Sequence, residues 1–177
     1  MADQTTWGLN GTVWAWGWNR SGELGDGTTT DQLTPVQLSG LTDVTAITTG
    51  PSSTYALKSD GTVWAWGQND FGQLGDGTTT SRSTPVQVAG LTRAAAITAD
   101  GSVYAVKMDG TVWAWGFNER GDLGDGTNEP RPKPVRVPGL TDVTAITTGP
   151  NSTPSSPARA HAAPLRYRDD WSSSDWS

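Results

Sequence analysis

In the stretch Val63-Trp64-Ala65-Trp66 the side chains alternate large and small, and extended backbone sends successive side chains to opposite faces. Trp64 and Trp66 therefore share one face of a strand, and Val63 and Ala65 share the other. Neither face is polar, so such a strand has to be covered on both sides. The same alternation recurs at Val13-Trp14-Ala15-Trp16 and Val112-Trp113-Ala114-Trp115. Stacked identical sheets satisfy it, with the Trp face of one filling the Val/Ala face of the next. Upstream of each Trp strand a second alternating run, such as Thr54-Tyr-Ala-Leu-Lys58, is separated from it by Asp60-Gly61, Asp109-Gly110 or Asn10-Gly11. Asx-Gly between two strand patterns predicts a hairpin, here with a type I′ turn carrying positive φ at both central residues. Ala46-Ile47-Thr48 adds an inner strand. Thr34-Pro35-Val36-Gln37-Leu38 adds an outer one, where proline costs no ladder bond because the strand is an edge.

Each unit occupies 50 and then 49 residues, since Thr-Val-Trp-Ala-Trp-Gly starts at Thr12, Thr62 and Thr111. A period of this length with four antiparallel strands per unit describes the blades of a β-propeller, an all-β fold. The whole blades fall at about 41–89 and 90–138, with a partial blade before them and a single strand after, so the expected array of about three repeats is an incomplete open arc. The array spans 1–149.

The full phrase Asp60-Gly-Thr-Val-Trp-Ala-Trp-Gly67-x-Asn69-x-x-Gly72-x-Leu74-Gly-Asp-Gly77 resembles the repeat of the regulator of chromosome condensation family, especially its bacterial form. The Gly-His and Trp-Asp pairs of one common blade type and the Gly-Gly of another are missing. The resemblance covers residues ~5–149 and implies a propeller that normally closes with seven blades. It also implies roles that include nucleotide exchange on a small nuclear GTPase, chromatin docking and protein inhibition. None of these transfers residue by residue, because the chain carries neither a wedge inserted between blades nor a basic arm.

Leu140 to Thr153 repeats Leu41 to Thr54 at all but one position, and then the pattern stops. Residues 150–177, rich in Pro, Ser, Ala and Arg, have no alternating face to bury, and read as a disordered or frame-shifted tail. A break in mid-motif favours a shifted frame or a gene fragment over a natural tail. The open blade ends then leave Trp-bearing faces uncovered, on the order of 300–500 Å² each, an area at which self-association is expected.

Of the 177 residues, 1–149 hold 9 Lys and Arg against 15 Asp and Glu, and the net charge of −6 resides there. A phosphate backbone demands clustered cations, so nucleic acid is not expected as a partner. No stretch approaches the ~18 apolar residues of a membrane span, and the first residues lack the basic and apolar regions of a signal peptide. The compartment stays open, since full-length relatives include the possibility of secreted or cell-surface proteins. There is no cysteine, and the single histidine, His161, lies in the tail, so thiolate and His-based catalytic or metal constellations are not expected among the repeats.

Asp26, Asp76 and Asp125 recur in Gly-Asp-Gly. Recurrence on every blade speaks for a local turn role over catalysis or calcium binding. The repeated tryptophans are assigned to blade packing over ligand stacking, and Pro130-Arg-Pro-Lys-Pro134 to the lead into an outer strand over a polyproline ligand. No catalytic, cofactor-binding or metal residue is proposed. The positions that differ between copies follow the Trp strand: Trp18 and Arg20 in the first, Phe71 in the second, Phe117 and Arg120 in the third. Aromatics and arginines on loops at one rim are the usual anchors of protein contacts. The expected function is a non-enzymatic protein–protein interaction module, a fragment of a longer propeller. The alternatives are a truncated product without a function, or a carbohydrate-binding or hydrolytic rim.

Overall fold

A computed structural model describes residues 5–9, 11–148 and 161–164. Every element among them is a strand. The first sheet has three, β1 (Thr5–Leu9), β2 (Thr12–Gly17) and β3 (Gln32–Gln37), in that order. The second has four, β4 (Val44–Thr49), β5 (Ser53–Lys58), β6 (Val63–Gly67) and β7 (Arg82–Gln87), and the third repeats it as β8 (Ala94–Asp100), β9 (Ser102–Lys107), β10 (Val112–Gly116) and β11 (Arg131–Arg136). Neighbours are antiparallel throughout. These are propeller blades in an open arc that does not close on itself. Pro35, Pro85 and Pro134 all lie in the outermost strand of their sheet, where no ladder partner is lost.

The blades stack as the alternation requires. Trp64 and Trp66 of the second blade pack against Val13, Ala15 and Leu24 of the first. Trp113 and Trp115 of the third pack against Val63, Ala65 and Leu74 of the second. Trp66 and Trp115 are completely buried, a burial worth about 4–6 kcal/mol of transfer free energy each. Each also makes one directed bond. The Trp66 indole donates to the Glu23 carbonyl at 2.8 Å, and the Trp115 indole to the Gln73 carbonyl at 2.9 Å. This approach needs glycine one residue past the intervening leucine. A Cβ on Gly25 or Gly75 would lie 2.7 Å from the indole nitrogen, and both residues have φ near +70° (74° and 68°).

The hairpins correct one expectation. Gly61 has φ 76°, but Asp60 is not among the residues with positive φ, so the turn is not type I′. Lys58 donates to the Thr62 carbonyl and Gly61 to the Lys58 carbonyl, both at 2.9 Å. The loop is thus three residues, a type I turn closed by glycine in the left-handed region. Its cause is the Asp60 carboxylate, which accepts the Thr62 N–H at 2.9 Å and its hydroxyl at 2.6 Å. Lys107 to Thr111 repeats this arrangement with Asp109 and Gly110. Asn10 lies outside the described residues.

After the third blade, β12 (Val143–Thr147) lies where the inner strand of a fourth would start, with Val143 and Ile146 against Val112 and Ala114. It pairs with β13 (His161–Pro164). The expected tail left no strand here, because these four residues show no alternation. The rest of 149–177 lies outside the described residues.

Candidate interaction rim

Between the third and fourth strand positions of each blade runs a long loop whose shape is set by one buried asparagine. In the first blade the Asn19 carbonyl accepts the Leu24 N–H at 2.9 Å, while its amide donates to Asp26 Oδ1, the Thr28 carbonyl and the Thr30 carbonyl at 3.1–3.2 Å. Asn69 and Asn118 do the same for Leu74 and Leu123. All three are fully buried. One side chain thus satisfies backbone groups spread over the next eleven residues, which would otherwise be orphaned.

The recurring aspartates complete the frame. Asp76 accepts the Thr78 N–H at 2.8 Å and its hydroxyl at 2.7 Å, and pairs with Arg82 at 3.1 Å. Asp125 pairs with Arg131 at 2.6 Å. Asp26, which has Gln32 in place of arginine, is bonded by its amide at 2.8 Å. Burial opposes ionisation of Asp125, but hydrogen bonds from Thr127 and Arg131 outweigh it and hold its carboxyl down at about 2. Asp26 and Asp76 are likewise lowered against burial by their hydrogen bonds. These carboxylates serve the loop's own backbone. Among the described residues no group of three His, Cys, Asp or Glu could hold a metal.

With asparagine and leucine anchored inward, the two residues between Asn and Gly are left at the loop tip. The Arg20 guanidinium stacks 4.3 Å over the Trp18 ring. Phe71 and Phe117, from adjacent blades, meet edge to face with centroids 5.1 Å apart and planes at 88°. Arg120 is exposed on the third loop, two residues before Asp122, whose carboxyl burial raises and Arg120 opposes. The structure therefore brings Trp18 to Arg20 and Phe71 to Phe117.

It also reveals a groove of about 360 Å³ between the first and second loops, lined by Arg20, Ser21, Thr29, Gln68, Asp70 and Ser83. Arg20 of the arginine–tryptophan pair lines it, as does Asp70, the residue before Phe71. Ser21, Gln68 and Asp70 are, like Arg20, loop positions that differ between copies, whereas Thr29 and Ser83 were not singled out in the sequence. They come from segments about fifty residues apart, and only the stacking of blades makes them neighbours.

The model of the Regulator of chromosome condensation (RCC1) repeat matches this chain three times, at residues 10–57, 60–103 and 109–153, and a second model of the same repeat matches 44–73. The chain belongs to the regulator of chromosome condensation repeat family. No curated protein sequence matches it. Among solved structures, human WBSCR16 superposes with a TM-score of 0.72 at 24% identity over 82% of this chain and 40% of that one. Prp20p from Saccharomyces cerevisiae, described with its binding to Gsp1p and histones, gives 0.64 at 20% identity over 71% and 34%. Yeast RCC1 (Prp20) bound to Kap60 gives 0.67 at 22% identity over 79% and 36%. At these identities the likeness is one of fold. The chain spans 34–40% of the length of these structures.

Proposed function

We propose that this chain is a non-enzymatic protein-interaction module, a piece of a longer propeller, whose partner seats on the rim bearing Trp18, Arg20, Phe71, Phe117 and Arg120. The carrying observation is the split within each loop. Asparagine, leucine, glycine and aspartate are tied into the loop and the blade stack, while tip residues of the first two loops, Arg20, Ser21 and Asp70, line one groove. Proteins of this fold that bind Gsp1p, histones and Kap60 support a protein partner. The net charge of −6 within the repeats opposes nucleic acid, and no described helix is long and apolar enough to cross a membrane. The proposed unit is the array over 1–149, with whole blades at about 41–89 and 90–138 and the residues from 150 onward as an appendage. The reading also includes contact between copies through the blade ends.

A photocrosslinking residue placed at Phe71 tests the rim. It should capture a protein that the same probe at Met108, in a hairpin turn, does not, and Arg20→Ala should weaken the capture. Equal capture from both positions, or capture indifferent to Arg20, defeats the assignment.

A further inference from the structure

The inter-blade interface occurs twice inside this chain, and each of its halves occurs once more without a counterpart among the described residues. The donor half is a Trp strand. Trp66 and Trp115 are fully buried by the preceding blade, whereas Trp16, at the same place in the first blade, is only half-buried. The receiving half is a carbonyl, a glycine and a small-residue face. Glu23 and Gln73 carbonyls each accept two side-chain donors, one of them the next blade's indole. The corresponding Asp122 carbonyl accepts only Tyr104, at 2.7 Å, among the described residues. A Cβ on Gly25 or Gly75 would strike that indole, but on Gly124, with nearly the same φ of 67°, it would meet, among the described residues, nothing nearer than Val137 at 3.4 Å. The third blade thus holds an indole seat of the same construction, and no indole of the described residues enters it.

The strands are complementary in the same way. Among the described residues the first sheet has strands in the places of a blade's second, third and fourth, and β12 stands in the place of a first. What lies on β12 now is β13, in the register of a genuine second strand. Val143, Ala145, Ile146 and Thr147 face Pro164, Ala163, Ala162 and His161, as Val44, Ala46, Ile47 and Thr48 face Lys58, Leu57, Ala56 and Tyr55, with the same bulge. The residue in the place of Lys58 is proline, which lacks the N–H that Lys58 uses to close its hairpin. Among the described residues, no third strand follows.

We infer that the chain associates head to tail with a second copy of itself, β1–β3 of one copy completing a blade on β12 of the other, Trp16 entering the seat at Gly124 and Asp122, and β1 displacing β13. The occupant is a second copy because each end carries what the other lacks, and the two intact copies of the interface show how the halves fit. Donor and seat lie on different blades, so the contact is heterologous and builds rings or chains. β13 competes with it.

Sedimentation and light scattering of the full 177-residue chain across 1–100 µM test this, with circular dichroism to confirm that each variant is folded. Wild type should rise in mass with concentration above its 18.7 kDa. Trp16→Ala, at the donor end, and Ala114→Arg, at the seat, should each weaken association at least tenfold, as expected for a central aromatic anchor and its pocket. Mixing the two variants should restore a 1:1 complex, because one still donates and the other still receives. Ala162→Pro with Ala163→Pro should unseat β13 and strengthen association. A wild-type monomer at 100 µM overturns the inference, as does association that survives Trp16→Ala, a mixture that stays monomeric, or association lost when β13 is unseated. If Ala114→Arg does not fold, Trp16→Ala mixed with wild type decides the matter: with a seat but no donor it should cap wild-type assemblies and lower their mass, and growth undiminished by it would overturn the seat. The mixture of Trp16→Ala with Ala114→Arg should stop at two copies.

Discussion

Gly75 and Gly124 occupy equivalent places with φ of 68° and 67°, which makes them a matched pair for weighing the inter-blade contact. Alanine at either pays the same left-handed strain, about 1–2 kcal/mol. At Gly75 the new methyl would also lie 2.7 and 2.9 Å from the Trp115 indole and 3.0 Å from Val88 Cγ1. Trp115 is completely buried, so it cannot swing into solvent without losing its packing. Overpacking costs about 1–3 kcal/mol and loss of the indole bond to the Gln73 carbonyl about 0.5–1.5 kcal/mol. Gly75→Ala should therefore be less stable than Gly124→Ala by about 2–4 kcal/mol. Urea denaturation followed by tryptophan fluorescence reads this as a difference in midpoint at constant slope. Equal midpoints would show that the glycine serves only its own backbone and that the indole seat is not a tight contact.

Gly61→Val should cost roughly 2–4 kcal/mol, because φ is 76° and the Cβ would lie 2.8 Å from the Arg93 Cα, a backbone atom of the next blade; an unchanged denaturation midpoint would refute the blade-to-blade approach. Asp125 ionises in the folded state at about 2 against an ordinary 3.8, so its contribution is full above about pH 4 and is lost as pH falls from 4 towards 2. Asp125→Asn should flatten the decline of the urea midpoint over that interval, and an unaltered profile would count against the frame. Asn69→Asp should show the opposite sign: its carboxylate would face the Thr78 and Thr80 carbonyls at about 3 Å, raising its folded pKa, so that its stability is lost as pH rises through that value. A midpoint for that variant that does not fall between pH 4 and 8 would mean the loop has reorganised.

The strand pattern and its stacking were legible in the sequence because a period of two needs only four residues to state it, and Val63 to Trp66 state it without a polar interruption. Turn chemistry was half-legible. Asp60-Gly61 announced the hairpin, but whether Asp60 adopts positive φ depends on where its carboxylate bonds, and its capture of Thr62 selected the longer loop. The pillars Asn19, Asn69 and Asn118 stood in a recurring phrase without a visible role, since their partners lie five to eleven residues onward along irregular backbone. The groove and β13 were not legible at all. The first joins loops of different blades, and the second is held by pairing with β12, with no face of its own to declare it.

The packing also determines where this chain is free to recognise anything. Phe71, at the tip, stands two residues from Gln73, whose carbonyl is claimed by the next blade's indole, and one from Gly72, where a Cβ would run into the Pro132 Cα. Leu74 is buried between blades and Asn69 inside its own loop. Any change at these places is transmitted to a neighbour, whereas the position before the asparagine and the two after it are among those at which the copies differ. Three blades offer nine such positions, and they already hold Trp18, Arg20, Ser21, Gln68, Asp70, Phe71, Phe117, Glu119 and Arg120. A repeat protein built this way diversifies its contacts by the combination of tips along the arc, and a partner reading that combination must span more than one blade. Substituting a single tip should therefore weaken binding in part, whereas substitutions on two adjacent blades, such as Arg20→Ala with Phe71→Ala, should be more damaging than either alone while leaving the urea midpoint within about 1 kcal/mol of wild type. A partner whose affinity is abolished by one tip and indifferent to all others would show that recognition is local to one blade.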